Sequence, residues 1–167
     1  MRAIDKERKL LLFVCTGNTC RSPLAQVIAQ SLLAEAGLTN WQVASAGLAA
    51  FRGMSASRHA LTAAQVLQLD LSAHQSQPLT AALAAQADLI LVMTEAHKDS
   101  ILRQLPQLRE KVYTIREFSG SSGDVQDPFG GTAADYLETA QELKALLQPI
   151  VQKLAAAAAV REENEDK

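Results

Sequence analysis

Residues 9–28 read KLLLFVCTGNTCRSPLAQVI: an apolar run, a short polar loop and the start of an amphipathic segment in immediate succession. After Lys9 the first part, to Val14, is apolar without alternation, the pattern of a strand buried on both faces. Leu24, Val27, Ile28, Ser31 and Leu32 then recur at three-to-four spacing on one side of a predicted helix, which Gly37 is suited to end. The same alternation continues outward. Residues 41–45, ended at Gly47, predict a second strand, and Ser55 or Ser57 can cap a helix with Ala60, Leu61, Ala64 and Leu67 inside. Residues 88–93 predict a third strand, residues 95–105 a helix stopped by Pro106, and residues 112–115 a fourth strand. A polar, flexible stretch over residues 119–131 leads into a long last helix, expected to kink at Pro149.

Four strands alternating with helices predict an α/β fold: a four-stranded parallel sheet with helices on both faces, a Rossmann-like three-layer sandwich. Ligands of such sheets bind at the carboxyl ends of the strands, where the winding changes direction. The loop from Cys15 to Ser22 is therefore the candidate site.

The 167 residues are expected to form a single domain, with a core over about residues 9–154 and a frayed tail at 161–167. Apolar residues make up 48% of the chain, enough for a sizeable core. A net charge of -2 and the lack of a basic stripe argue against nucleic acid as a partner. No apolar run comes near the roughly 18 residues of a membrane span, and the charged N-terminus MRAIDKERKL has no apolar leader segment behind it. A cytoplasmic protein with no membrane partner is the expectation. Cys15 and Cys20 are the only cysteines, without zinc-ligand spacing, so no metal and no cofactor is expected and the two thiols point to chemistry.

The loop has the parts of an oxyanion cradle. Gly17 frees the backbone to turn consecutive N–H groups inward, and a helix starting near Ser22-Pro23 adds its unsatisfied N–H groups and positive dipole end. Together, Thr16, Gly17, Asn18, Thr19, Cys20, Arg21 and Ser22 form the expected phosphate-binding loop, with Arg21 holding two oxygens in its planar fork. No GxxxxGK[ST] pattern is present, so a nucleotide-binding loop is excluded. Cys15 stands at the centre. A helix N-terminus and a nearby cation lower a thiol pKa from about 8.5 into roughly the 3.5–7.5 range, and the Ser22 hydroxyl can donate to the thiolate. Cys20 either forms a reversible disulfide with Cys15, protecting the nucleophile under oxidants, or packs inward.

The run Cys15-Thr-Gly-Asn-Thr-Cys-Arg-Ser-Pro23, a C-x5-R-S loop directly after a first strand, resembles the low-molecular-weight protein phosphatase family over about residues 9–154. The resemblance implies the phosphotyrosine protein phosphatase I-like fold and a phosphocysteine intermediate. It also implies an acid in a D-P-aromatic-G pattern, matched by Asp127-Pro128-Phe129-Gly130. A neutral carboxylic acid there can protonate the leaving group, and its ionised form can then take a proton from the hydrolytic water. Catalysis is thus expected of Cys15, Arg21 and Asp127. Asn18 is similar to the family's loop asparagine, and Ser45 and His74 to the residues that brace it. His59 and His97 read as surface histidines.

The family divides by substrate. Phosphotyrosine members usually carry a bulky aliphatic residue where this chain has Thr19, and a bacterial protein arginine phosphatase branch carries threonine. Thr19, with Phe129 as one wall of the entrance, is the expected specificity determinant. Threonine spares a polar guanidinium the crowding of an aliphatic side chain, which implies phosphoarginine in proteins as the substrate. Phosphotyrosine is the alternative. Two more remote readings are an arsenate reductase, for which two cysteines are too few, and a catalytically silent anion-binding module. Phosphorylated proteins are the expected partners, met by a monomer.

Overall fold

The computed structural model describes residues 7–167; of the N-terminal stretch read for a leader, residues 1–6 lie outside them. Four strands, β1 (Lys9–Cys15), β2 (Trp41–Gly47), β3 (Leu89–Val92) and β4 (Val112–Thr114), form one parallel sheet in the order β2-β1-β3-β4. The winding reverses at β1, which lies between β2 and β3, so the loop after β1 opens at the switch point.

Strand periodicity explains the two cores. Leu11, Phe13 and Cys15 of β1 and Leu89 and Leu91 of β3 face one side, with α1 (Arg21–Glu35), α2 (Arg58–Val66) and α6 (Ala133–Glu165). Leu12, Val14, Ile90 and Val92 face the other, packed with α3 (Ala81–Gln86) and α4 (Glu95–Gln104). Both faces are covered, which is why these strands are apolar throughout.

Several local expectations change. The buried side of α1 is Leu24, Ala25, Ile28, Ala29 and Leu33; Val27, Ser31 and Leu32 are only half-buried, because the helix is wedged between the sheet and α6. Ser57, not Ser55, caps α2 by accepting from the Ala60 N–H at 3.3 Å. Its inner side is Ala60, Ala63 and Ala64, small residues that let α2 lie close to α6. The short helix α3 was not expected, although Thr80 is its cap. Ile115 opens a further short helix, α5 (Ile115–Ser119), because Thr114 and Glu117 form a capping box that ends the strand.

The polar segment after α5 is tied down rather than free. Val125 is fully buried within it, and its N–H donates to the Met93 carbonyl at 2.9 Å. The last helix runs through Pro149 and on to Glu165, past the start of the expected tail, with every residue from Arg161 exposed. By length and composition α6 could cross a membrane, contrary to the sequence expectation. In this fold its inner side, including Tyr136, Ala140, Leu143, Leu147 and Ile150, is buried against α1, α2 and α5.

Candidate active site

Cys15 is the last residue of β1 and Arg21 the first of α1, so five residues turn the chain from strand to helix. The Cys15 Sγ lies 2.9 Å from the Ser22 Oγ and accepts from the Asn18 N–H at 3.3 Å. Ser22 belongs to the first turn of α1, whose free N–H groups and dipole face the same space.

Asn18 organises the loop. It is fully buried and is the loop residue in the left-handed region, with φ 57°, the conformation the family resemblance implies for it; Gly17 does not have a positive φ. Asparagine tolerates this conformation, and here its side chain is locked. The Oδ1 accepts from the Gln77 N–H at 3.0 Å, which fixes the orientation of the amide. The Nδ2 then donates to Ser22 Oγ at 2.8 Å and to Ser45 Oγ at 2.9 Å. Since Ser22 accepts from Asn18, its own proton is free for Cys15. Ser45 passes its proton on to Gln26 Oε1 at 2.7 Å. His74 Nε2 donates to the Asn18 carbonyl at 2.7 Å, so both residues matched to the family's bracing pair do touch Asn18.

Arg21 is buried and reaches the acid segment: its NH1 donates to the Val125 carbonyl at 3.0 Å, and its NH2 lies 3.5 Å from Asp127 Oδ2. The side chain of Asp127 is 49% exposed, and its Oδ1 accepts from the Phe129 N–H at 3.1 Å. Phe129 is 81% exposed and stands at the rim. Thr19 is half-buried, its carbonyl held by the Ser57 N–H at 2.9 Å and its hydroxyl 3.7 Å from Cys20 Sγ. Both thiols are free. Cys20 Sγ contacts Ser57 Oγ at 3.3 Å and the Tyr136 hydroxyl at 3.6 Å, and a disulfide with Cys15 requires it to leave both. Burial and the contact with Cys20 push the Tyr136 phenol up to about 12.

His97 is not the surface residue the sequence predicts. It is 7% exposed, and its Nε2 lies 2.9 Å from Thr16 Oγ1. Burial, and then the nearby charge of Arg21, lower its pKa to about 4 against the opposing pull of Asp124 and Asp127, so the ring is neutral at neutral pH. Its Nδ1 is buried without a partner among the described residues. His59 is half-buried, its ring 5.2 Å from that of Tyr136.

Gly47, read only as a strand end, is a steric requirement of the cradle. A Cβ there would lie 2.5 Å from the Thr16 carbonyl oxygen and 3.0 Å from the Asn18 nitrogen, both backbone atoms of the loop. Gly47→Ala is expected to open the loop and lower turnover about 100-fold, with a stability loss of roughly 1–3 kcal/mol. Steady-state kinetics and thermal unfolding check this; unaltered kinetics would mean that the loop tolerates the shift. No short-range pattern marks Gly47, Gln77 or His97, which reach the loop from 29 to 81 positions away. Two surface grooves at the far end of α1, lined in part by Leu32, Glu35 and Gln148, share no residue with the site.

A thiol aimed into an N–H-lined cradle, a buried arginine and a carboxylate across the opening define a site for cysteine-dependent phosphoryl transfer. Comparison with known proteins gives the family. Residues 10–162 match the family described as low molecular weight phosphotyrosine protein phosphatase. A protein-arginine-phosphatase of Bacillus subtilis is 44% identical over 86% of this chain and 95% of its own length. The low molecular weight protein-tyrosine-phosphatase PtpB of Staphylococcus aureus is 36% identical over 82% and 93%. Among solved structures, YwlE arginine phosphatase, as a mutant with a phosphorylated active-site serine, superposes with a TM-score of 0.83 at 42% identity, over 87% of this chain and 95% of that one. The chain belongs to the low molecular weight phosphotyrosine protein phosphatase family, and it is a phosphatase.

Proposed function

We propose that the protein hydrolyses phosphoarginine in proteins through a phosphocysteine intermediate. The Cys15 thiolate attacks phosphorus while Arg21 and the loop N–H groups hold the three phosphoryl oxygens. The phosphorus–nitrogen bond breaks, and Asp127 gives its proton to the departing guanidinium nitrogen. Asp127, now a carboxylate, takes a proton from water as that water attacks the phosphocysteine, releasing inorganic phosphate and restoring the thiolate. The phosphorylated active-site serine in the YwlE mutant supports a covalent phosphoenzyme.

The observation that carries the substrate is Thr19. It is a half-buried residue of the loop, at the position where phosphotyrosine members of the family usually carry a bulky aliphatic side chain. A hydroxyl there tolerates a planar, polar guanidinium, and the carbonyl oxygen of protonated Asp127 can accept from its N–H groups before the proton moves. The higher identity to protein-arginine-phosphatases than to PtpB agrees with this.

Turnover of phosphoarginine and phosphotyrosine peptides by wild type and Thr19→Ile tests the reading. The wild type is expected to prefer phosphoarginine, and Thr19→Ile to shift the ratio of kcat/KM toward phosphotyrosine by about 10–100-fold. A wild-type preference for phosphotyrosine would leave the mechanism standing and make this a tyrosine phosphatase, with exposed Phe129 the candidate wall for the phenyl ring.

A further inference from the structure

The nucleophile and the acid sit on separate pieces of chain, one at the end of β1, the other in the irregular segment between α5 and α6. Two side-chain contacts converge on the turn where α4 begins. His97, in that turn, holds the Thr16 hydroxyl at 2.9 Å, in the residue directly after Cys15. Asp124, three residues before Asp127, accepts from the Glu95 N–H at 2.9 Å. Thr94 caps the same turn by accepting from the His97 N–H at 3.1 Å, which makes it a rigid support. Arg21 also spans the two halves, but its guanidinium must hold the phosphoryl group as well. The α4 contacts have no such second duty.

We infer that the first turn of α4 is a clamp that sets the Cys15 loop and the Asp127 segment at their working separation, with His97 and Asp124 as its positioning residues. An apolar side chain would fill the His97 site without leaving a buried ring nitrogen unpartnered, so packing does not account for the imidazole. The contact with Thr16 does. Because the ring stays neutral, that contact is the same across the neutral pH range. Asp124 places a carboxylate on the positive end of a ten-residue helix, a pairing that fixes the start of the acid segment. The inference rests on Asp127 being the acid.

The test compares p-nitrophenyl phosphate, whose acidic phenol departs without a proton, with phenyl phosphate, whose phenol needs one. Asp124→Ala is expected to lose roughly 10–100-fold in kcat on phenyl phosphate and less than about threefold on p-nitrophenyl phosphate. Its inhibition by inorganic phosphate stays the same, and Asp124→Asn, which keeps an acceptor oxygen, recovers most of the loss. His97→Leu is expected to slow both substrates alike and weaken phosphate inhibition by about tenfold. His97→Gln, whose amide can still hydrogen-bond Thr16, restores both. Equal losses on the two substrates in Asp124→Ala, or His97→Leu and His97→Gln behaving identically, overturns the clamp. Asp127→Asn measured alongside separates the two failures. A steep leaving-group dependence there with a flat one in Asp124→Ala removes the clamp alone. No dependence in Asp127→Asn removes the assignment of the acid, and the clamp with it.

Discussion

Cys15→Ser is expected to abolish turnover, by a factor on the order of 10⁶ if it follows other enzymes stripped of their nucleophile, while phosphate or vanadate still binds. The two effects separate because they use different atoms. Binding draws on the loop N–H groups, the N-terminus of α1 and Arg21, none of which the substitution touches. Attack draws on the Sγ, which accepts from the Asn18 N–H and lies 2.9 Å from the Ser22 hydroxyl. A serine hydroxyl in the same place stays protonated, since an alcohol is a far weaker acid than a thiol and is a poor nucleophile without a base. Turnover kinetics and equilibrium vanadate binding read the two separately. Undiminished turnover would remove Cys15 as the nucleophile. Loss of both would mean that the loop had collapsed.

Asp127→Asn carries the second-largest expected effect, a slowing of leaving-group departure by roughly 10²–10⁴-fold. An amide has no proton to give at neutral pH, and it cannot serve as the base for the hydrolytic water. Binding should hold or improve, because the substitution removes a negative charge 3.5 Å from Arg21, which competes with the phosphoryl group for the guanidinium. The half-exposed side chain and the turn held by Phe129 N–H leave the fold little affected. Single-turnover rates on substrates of differing leaving-group acidity, with phosphate inhibition measured in parallel, test this. An unchanged rate on a poor leaving group would place the acid elsewhere.

What was legible in the sequence was local. A buried strand announces itself in five apolar residues, and the cradle lies within the eight residues that follow, so strand, loop and helix start could be read as one unit. Cys15, Arg21 and Ser22 are found together because the turn from β1 to α1 brings sequence neighbours to one point. Asn18 and its contacts with Ser45 and His74 came from the family resemblance, not from spacing, and the geometry does place those three together. Glycine is the usual left-handed residue, yet it is Asn18, as the resemblance implied, that holds that conformation, because four hydrogen-bonding partners lock its side chain and carbonyl. The segment after α5 looked loose, since nothing in its composition shows that Val125 is anchored to Met93 and Arg21.

By itself, then, the sequence determined the four strands, the parallel sheet and the position of the cradle after the first strand. These depend on periodicity and on residues a few positions apart, where chain connectivity does the positioning. Only the tertiary structure decided which distant residues complete the site. Gly47 must lack a side chain because β2 pairs in register with β1 and brings it against Thr16 and Asn18. His97 is buried because α4 begins at the end of β3, beside β1, and turns its ring toward Thr16. Pairing of strands far apart in sequence creates these contacts, and no window along the chain contains both partners.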